Sequence, residues 1–286
     1  MMVFPIDHLV LGVHDLDAAA SFYQRLGFKV GAVNDHPWGT QNRIIQLHGS
    51  FLELIALGPD FARKSDGVYF AARLKQYLAR RQGFAMLALS TSDALAAQQQ
   101  YVAAAVSAQP LFAFGRTGRR PNGESVELGF KLAFAQSPLL EDAGFFACQM
   151  THPEFFWAPE WQQHDNSVHA VQAVIMVAPD PSDHAEFLTH FTGQHEMLAS
   201  SIGLELQLGA GRLEVLTPLG FQFKTGTRPE RDVPHFAAIR LSTPELGALA
   251  QRLHEQGIVF AQAPDRITIS GDQAFGATLV FEPLPQ

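Results

Sequence analysis

The chain holds a single cysteine, Cys148, in 286 residues. No intramolecular disulfide can form, so a reducing, cytoplasmic setting is the default expectation, with Cys148 as a small buried residue. Basic side chains are also few, because 20 Lys and Arg against 28 Asp and Glu leave a formal charge of -8. Such a surface does not neutralise a phosphate backbone, so no nucleic-acid partner is expected. Long apolar runs are missing as well. The stretch from Val171 to Ala178 contains Gln172 and falls short of the ~20 residues of a membrane span, so no membrane partner is expected. The segment Met1 to Asp7 lacks the basic start of a secretion signal. Neither a G-x-S-x-G elbow nor a G-x-x-x-x-G-K-S/T loop occurs, which removes the common signatures of serine hydrolases and phosphate-cradling loops.

What is present is an ordinary folding composition, 47% apolar and 17% charged, in a chain long enough for roughly two domains. A strand, a capped amphipathic helix and several short strands follow one another four times. In Ile6 to Val13, the residues Leu9, Leu11 and Val13 lie on one face and His8, Val10 and Gly12 on the other. Asp15 caps a helix carrying Leu16, Ala19, Phe22, Tyr23 and Leu26, and Gly27 stops it. Strands are expected over 28–33, 42–47 and 51–56.

The second unit opens at 84–90, with Ser92 or Asp93 as cap and strands near 111–114, 125–135 and 145–150. A linking helix is expected near 69–81. The third has a strand over 170–177, Asp180-Pro181 as helix start and strands over 204–208 and 212–216. In the fourth, a strand over 236–241 precedes Ser242 and Glu245, read as a capping box, and strands near 259–261, 266–269 and 277–281 finish the pattern. Helix starts at Asp15, Asp93, Asp180 and Thr243 are 78, 87 and 63 residues apart, too irregular for a solenoid and consistent with diverged duplicates. The polar stretch Gln162 to Ser167 marks the expected boundary, giving domains 1–162 and 167–286.

Four βαβββ units, with Ile6-Asp7-His8-Leu9-Val10-Leu11 opening the first and Phe51-Leu52-Glu53-Leu54-Ile55 closing it, resemble the vicinal oxygen chelate superfamily and its glyoxalase-like domain branch, the fold of glyoxalases, bleomycin resistance proteins and extradiol dioxygenases. Further cues are Gly39-Thr40-Gln41-Asn42, Phe70-Ala71-Ala72-Arg73-Leu74 and Phe145-Phe146-Ala147-Cys148-Gln149. The resemblance implies an α+β fold in which four βαβββ modules pair, within the chain or across a homodimer, into two half-barrel domains. It also implies ligands on the first and last strands of each unit. His8 and Glu53 match those positions in unit one, whereas the alignment sets Met86 opposite His8 and Gln149 opposite Glu53. In the second half Ala173 and Glu214 match in unit three, and His235 or Phe236 with Val280 in unit four.

The expected function is that of a small-molecule lyase, isomerase or dioxygenase acting on adjacent oxygens, with its cleft in the first half. Glu53 is the expected base or carboxylate ligand and His8 the ligand or polariser, a pair suited to a divalent Mn, Fe, Ni or Zn ion. Gln149 would donate to a substrate oxygen. Asn42, Gln46 and His48 share a strand face beside Trp38, as a polar cleft wall or an exposed edge. Arg116, with Arg119 and Arg120, either binds a substrate carboxylate or belongs to a solvated hairpin. The histidines His14, His164, His184, His190, His195 and His254 are expected at the surface. The competing expectation is a metal-free protein that sequesters a small molecule, motivated by Met86, Gln149 and the 23 phenylalanines.

Overall fold

The computed structural model describes residues 3–107, 109–119 and 123–285. The first repeat comprises β1 (Ile6–Gly12), α1 (Leu16–Arg25), β2 (Asn34–Asp35), β3 (Thr40–Leu47) and β4 (Ser50–Leu57). Two linking helices follow, α2 (Phe61–Lys64) and α3 (Tyr69–Leu78). The second repeat has β5 (Gly83–Ser90), α4 (Ala94–Ala103), β6 (Phe112–Arg119), β7 (Ser125–Ala135) and β8 (Gly144–Met150). A short α5 (Pro153–Phe156) leads to the third, with β9 (Val171–Val177), α6 (Ala185–Thr192), β10 (Leu198–Ser200), β11 (Gly203–Leu208) and β12 (Gly211–Leu216). Helix α7 (Pro218–Thr225) precedes the fourth, which has β13 (His235–Ser242), α8 (Leu246–Glu255), β14 (Ala261–Ala263), β15 (Arg266–Ile269) and β16 (Thr278–Glu282).

Local chemistry starts the helices where the sequence places them. The Asp15 carboxylate accepts from the backbone N–H of Asp17 and Ala18, and Asp93 does the same for Leu95 and Ala96, satisfying donors that have no partner within a helix. The repeats then pair within the chain. One eight-stranded sheet runs β2-β3-β4-β1-β5-β8-β7-β6 and the other β10-β11-β12-β9-β13-β16-β15-β14. In the first, β1 and β5 are antiparallel at the centre, with His8 opposite Ala88 and Val10 opposite Met86, so a local two-fold relates the units. This is the α+β architecture of two half-barrels. The first sheet curls until its edges approach: Phe114 of β6 lies 4.7 Å from Trp38 and 5.7 Å from His36, ring to ring.

Period-two alternation decides the faces. Leu9, Leu11, Leu52, Leu54 and Leu87 of the first sheet and Val174, Met176, Leu213 and Ile239 of the second turn toward one shared core, which also takes the apolar faces of α1, α4, α6 and α8. Phe145 meets Phe187, Phe191 and Phe236 there at 4.9 to 5.3 Å. The opposite, concave face of the first sheet carries Val10, Phe51, Met86, Phe130 and Phe146. No helix among the described residues is long and apolar enough to cross a membrane.

Five expectations need correction. Residues 28–33 form no strand; their backbone groups are met one at a time, as Phe28 donates to Tyr23, Lys29 to His164 and Gly31 to Ile44. The capping box at Ser242 is not made: Thr243 N–H is drawn to Glu282 on β16, and α8 begins after Glu245, which makes no side-chain cap bond. Counted from that start, Ala238, not His235 or Phe236, takes the first-strand position of unit four. Strand β6 runs on to Arg119 and pairs with β7, so Arg116 lies in a strand of that hairpin and is buried rather than solvated, while Arg120 lies outside the described residues. His164 and His184 are buried; the former accepts from Lys29 N–H through Nδ1 and donates to the Gln46 carbonyl through Nε2.

Candidate functional site

The site begins with an irregularity in β1. Ile6 pairs with Leu89 and His8 with Ala88, so Asp7 is the extra residue of a β-bulge, and a bulge re-aims a side chain. The Asp7 carboxylate, buried in the same cluster, meets His8 Nδ1 at 2.6 Å. A carboxylate only accepts, so a proton sits on Nδ1, and Nε2 is turned toward Glu53 Oε2, 3.7 Å away. Carboxylate support of this kind is what orients catalytic and metal-binding imidazoles. The His8 ring stacks on Phe51 at 4.3 Å.

Glu53, opposite Val10 in the parallel β1/β4 register, shares the concave face and is 6% exposed. Among the described residues no Lys or Arg comes within ion-pair distance of it. Its Oε1 accepts a short hydrogen bond from Asn42 Nδ2 and lies 3.9 Å from His36 Nε2. His36 is set by the turn His36-Pro37-Trp38-Gly39, closed by a bond from Gly39 N–H to the His36 carbonyl. Proline pre-sets the second turn position. Gly39 has φ +86, and a Cβ there would lie 2.7 Å from Phe61 Cα. The turn stacks His36 on Trp38 at 4.6 Å. Burial, with the Arg116 charge adding, pushes His36 down to about 3, so its ring is neutral at neutral pH.

Arg116, on the same β6 face as Phe112 and Phe114, is 8% exposed. It donates to Asn34 Oδ1 at 2.9 Å and lies 5.7 Å from the Phe130 ring centre. Asn34 in turn donates to Asn42 Oδ1 at 3.1 Å. Arg116 and Glu53 are thus joined through two amides. An arginine can only donate and a carboxylate only accept, so both amide orientations follow. Burial lowers the Arg116 pKa, and the Glu53 charge acts against that.

His8, His36, Trp38, Asn42, Glu53 and Arg116 line a cavity whose other walls include Phe51, Phe70, Phe130, Phe146 and Phe156. A groove running past Asn34, His36 and Arg116 leads to it from outside. A larger hollow lies on the unit-two side with Met86 and Phe146 in its wall, but the histidine and carboxylate chemistry is in the smaller one.

Of the residues the sequence singles out, His8, Trp38, Asn42, Glu53 and Arg116 meet in this cavity. Three do not. Gln46 donates to the Phe156 carbonyl and accepts from Ala158 N–H, holding the α5 segment in place. His48 is exposed in the β3–β4 turn, stacked on His169 at 4.0 Å. Gln149 faces the other side of β8, where its Oε1 accepts from Ala94 N–H at the start of α4; Phe146, opposite Ala88, holds the position equivalent to Glu53. Asp7, Asn34 and His36 are site residues that sequence reasoning missed.

The second sheet repeats the position but not the site. Glu214 pairs with Ile175 as Glu53 does with Val10, yet it is bound directly by Arg240, which also bridges to Glu282 at 2.9 Å. Ala173 and Ala238 stand where histidines would be needed, and Phe221 of α7 packs into the concavity with Ile175, Val177 and Ala238.

For a metal, His8 Nε2 and Glu53 Oε2 are a facing pair of donors. Met86 and Phe146 at the matching positions of unit two bring none, and among the described residues no group of three His, Cys, Asp or Glu side chains is disposed to hold an ion. Among the described residues the donor set does not complete a metal centre.

Residues 6–192 match the family described as glyoxalase-like domain, and the chain belongs to that family, within the vicinal oxygen chelate superfamily. Its fold is similar to that of a hypothetical protein from Staphylococcus aureus, with a TM-score of 0.70 at 14% identity over 98% of this chain and 99% of that one. It is also similar to a variant of 4-hydroxymandelate synthase from Streptomyces coelicolor, with a TM-score of 0.58 at 14% identity over 100% and 95% of the two chains. The Mn(II)-bound glyoxalase from Novosphingobium aromaticivorans gives a TM-score of 0.58 at 12% identity over 99% and 83%. At these identities the likeness is one of fold. No curated protein matches the sequence.

Proposed function

We propose that the cavity of the first sheet is the active site of a cytoplasmic small-molecule lyase or isomerase that moves a proton at a carbon beside a carbonyl, with Glu53 as the base. One observation carries this reading: among the described residues Glu53 is buried with an amide and two imidazoles around it and no Lys or Arg in contact, although burying a carboxylate without such a partner is costly. Groups held in such surroundings cluster at functional sites. A proton taken by Glu53 leaves charge on the neighbouring carbonyl oxygen. His8, held by Asp7 and 3.7 Å from the carboxylate, is the group that can pass a proton to or from that oxygen.

The test is deuterium uptake, followed by NMR, from D2O into hemithioacetals of 2-oxoaldehydes and into α-hydroxyketones. Uptake that Glu53→Gln abolishes supports the assignment; uptake unchanged in the variant overturns it. Elemental analysis of wild type and His8→Ala separates the two roles of the pair, since near-stoichiometric Mn, Fe, Ni or Zn lost in the variant would make it a ligand pair. The second reading, a metal-free binding protein, draws on Met86 and Phe146 at the matching strand positions. It requires a ligand that binds tightly and leaves unchanged.

A further inference from the structure

The cavity keeps an anion and a cation apart. Had Arg116 met Glu53 directly, as Arg240 meets Glu214, each charge would have quenched the other. Interposing Asn34 and Asn42 leaves a carboxylate that can take a proton and a guanidinium that can take an anion. Among the described residues Arg116 is the one Lys or Arg in the cavity wall. Among the described residues it makes a single hydrogen bond, to a neutral amide, so most of the five N–H donors of its fork are uncommitted. A buried guanidinium without a counter-ion is costly to maintain, and a bidentate carboxylate is the partner that fits its geometry. In the same wall the Trp38 indole N–H is buried with no acceptor. The remaining surface is mostly ring faces and edges, from Trp38, Phe51, Phe114, Phe130, Phe146 and Phe156, and aromatic walls favour a flat apolar body.

From this juxtaposition we infer that the molecule this cavity takes is an aryl carboxylate, its anionic group on the Arg116 fork and its ring among the aromatic side chains. The inference rests on the cavity being the ligand site, as in the function proposed above, but not on Glu53 being a base.

Calorimetric titration of the full chain with benzoate, phenylacetate and cyclohexanecarboxylate, and with benzamide and phenylacetamide as neutral partners, tests it. The expected order is aryl acid above cyclohexyl acid, and aryl acid at least tenfold above its amide. Arg116→Gln should lower acid affinity at least tenfold and leave amide binding unchanged. Arg116→Lys, which keeps the charge and loses the fork, should fall between and serves if the glutamine variant does not fold. Amides binding as well as acids, Arg116 variants with wild-type affinity, or no binding of any aryl acid would each overturn the inference. Arg116-dependent binding without Glu53-dependent deuterium uptake would leave it standing and remove the catalytic reading; the reverse pattern would do the opposite.

Discussion

Glu214 holds in the second sheet the register position that Glu53 holds in the first, and a direct bond from Arg240 makes it a structural anion while Glu53, among the described residues, has an amide and two imidazoles around it. The two carboxylates therefore answer differently to mutation.

Arg240→Met leaves Glu214, 1% exposed, with only the more distant Lys224 at 3.8 Å. A buried charge robbed of its partner costs about 3 kcal/mol or more. Glu53→Gln, which strands no opposite charge in contact, should cost about 1 kcal/mol or less. Urea denaturation of the two variants checks the order, and equal losses would contradict it.

The bulged Asp7 fixes the His8 tautomer. In Asp7→Asn the amide offers a donor as well as an acceptor, so the Nδ1–H form loses its preference. Nitrogen NMR of the His8 ring should pass from one dominant tautomer to a mixture, while circular dichroism stays unchanged. Where turnover is measurable, kcat should drop roughly 10- to 100-fold, as for other supports of a working histidine.

Stability should depend on pH through two buried histidines. His36 is pushed down to about 3 and His235 to about 4, in both cases chiefly by burial. In the unfolded chain each titrates near 6.5. Their contribution is fully present above that value and is lost as pH falls toward the folded values, because the unfolded state binds the protons first. Each adds about 1.4 kcal/mol per pH unit to the slope near pH 5. His36→Asn should flatten the slope by about one proton, read from urea midpoints between pH 4 and 7.

Cys148 lies in the cavity wall but is 2% exposed. Burial, with the charges of Asp7 and Glu53 adding, pushes its thiol well up. The native chain should therefore resist Ellman's reagent at pH 8 and react fully in guanidinium. Rapid native labelling would mean that the cavity opens widely in solution.

A chain ending at residue 167 should not fold. Phe145 would lose Phe187, Phe191 and Phe236, and the Tyr101 hydroxyl would lose the Phe191 carbonyl to which it donates at 2.9 Å. Expression of that fragment should give aggregate or a species that binds apolar dye. A soluble, cooperatively melting fragment would refute the dependence.

The repeats were legible because their signals are local. Asp15 and Asp93 cap where the sequence places them, and alternation sets His8 and Glu53 on the open face. What escaped depends on departures from regularity. Parity assigns Asp7 to the packed face, and only the bulge turns it toward His8. His36 sits in a turn, where neither strand nor helix period applies. Gln149 was aligned by position within its strand, but the β5/β8 register sets Phe146, three residues earlier, opposite the relevant site. Helix α7 did carry a signature, with Thr217 as cap, Pro218 in its first turn and Gly226 in the left-handed conformation after its end.

That helix decides what the second half can do. Phe221 is fully buried in the concavity of the second sheet, and the Thr268 hydroxyl donates to the Thr225 carbonyl at 2.7 Å. A tethered occupant competes at an effective concentration that diffusing molecules rarely reach. The second hollow is in this sense already saturated by its own chain, and no dose of a soluble compound would displace α7 unless the turns at its two ends were first loosened.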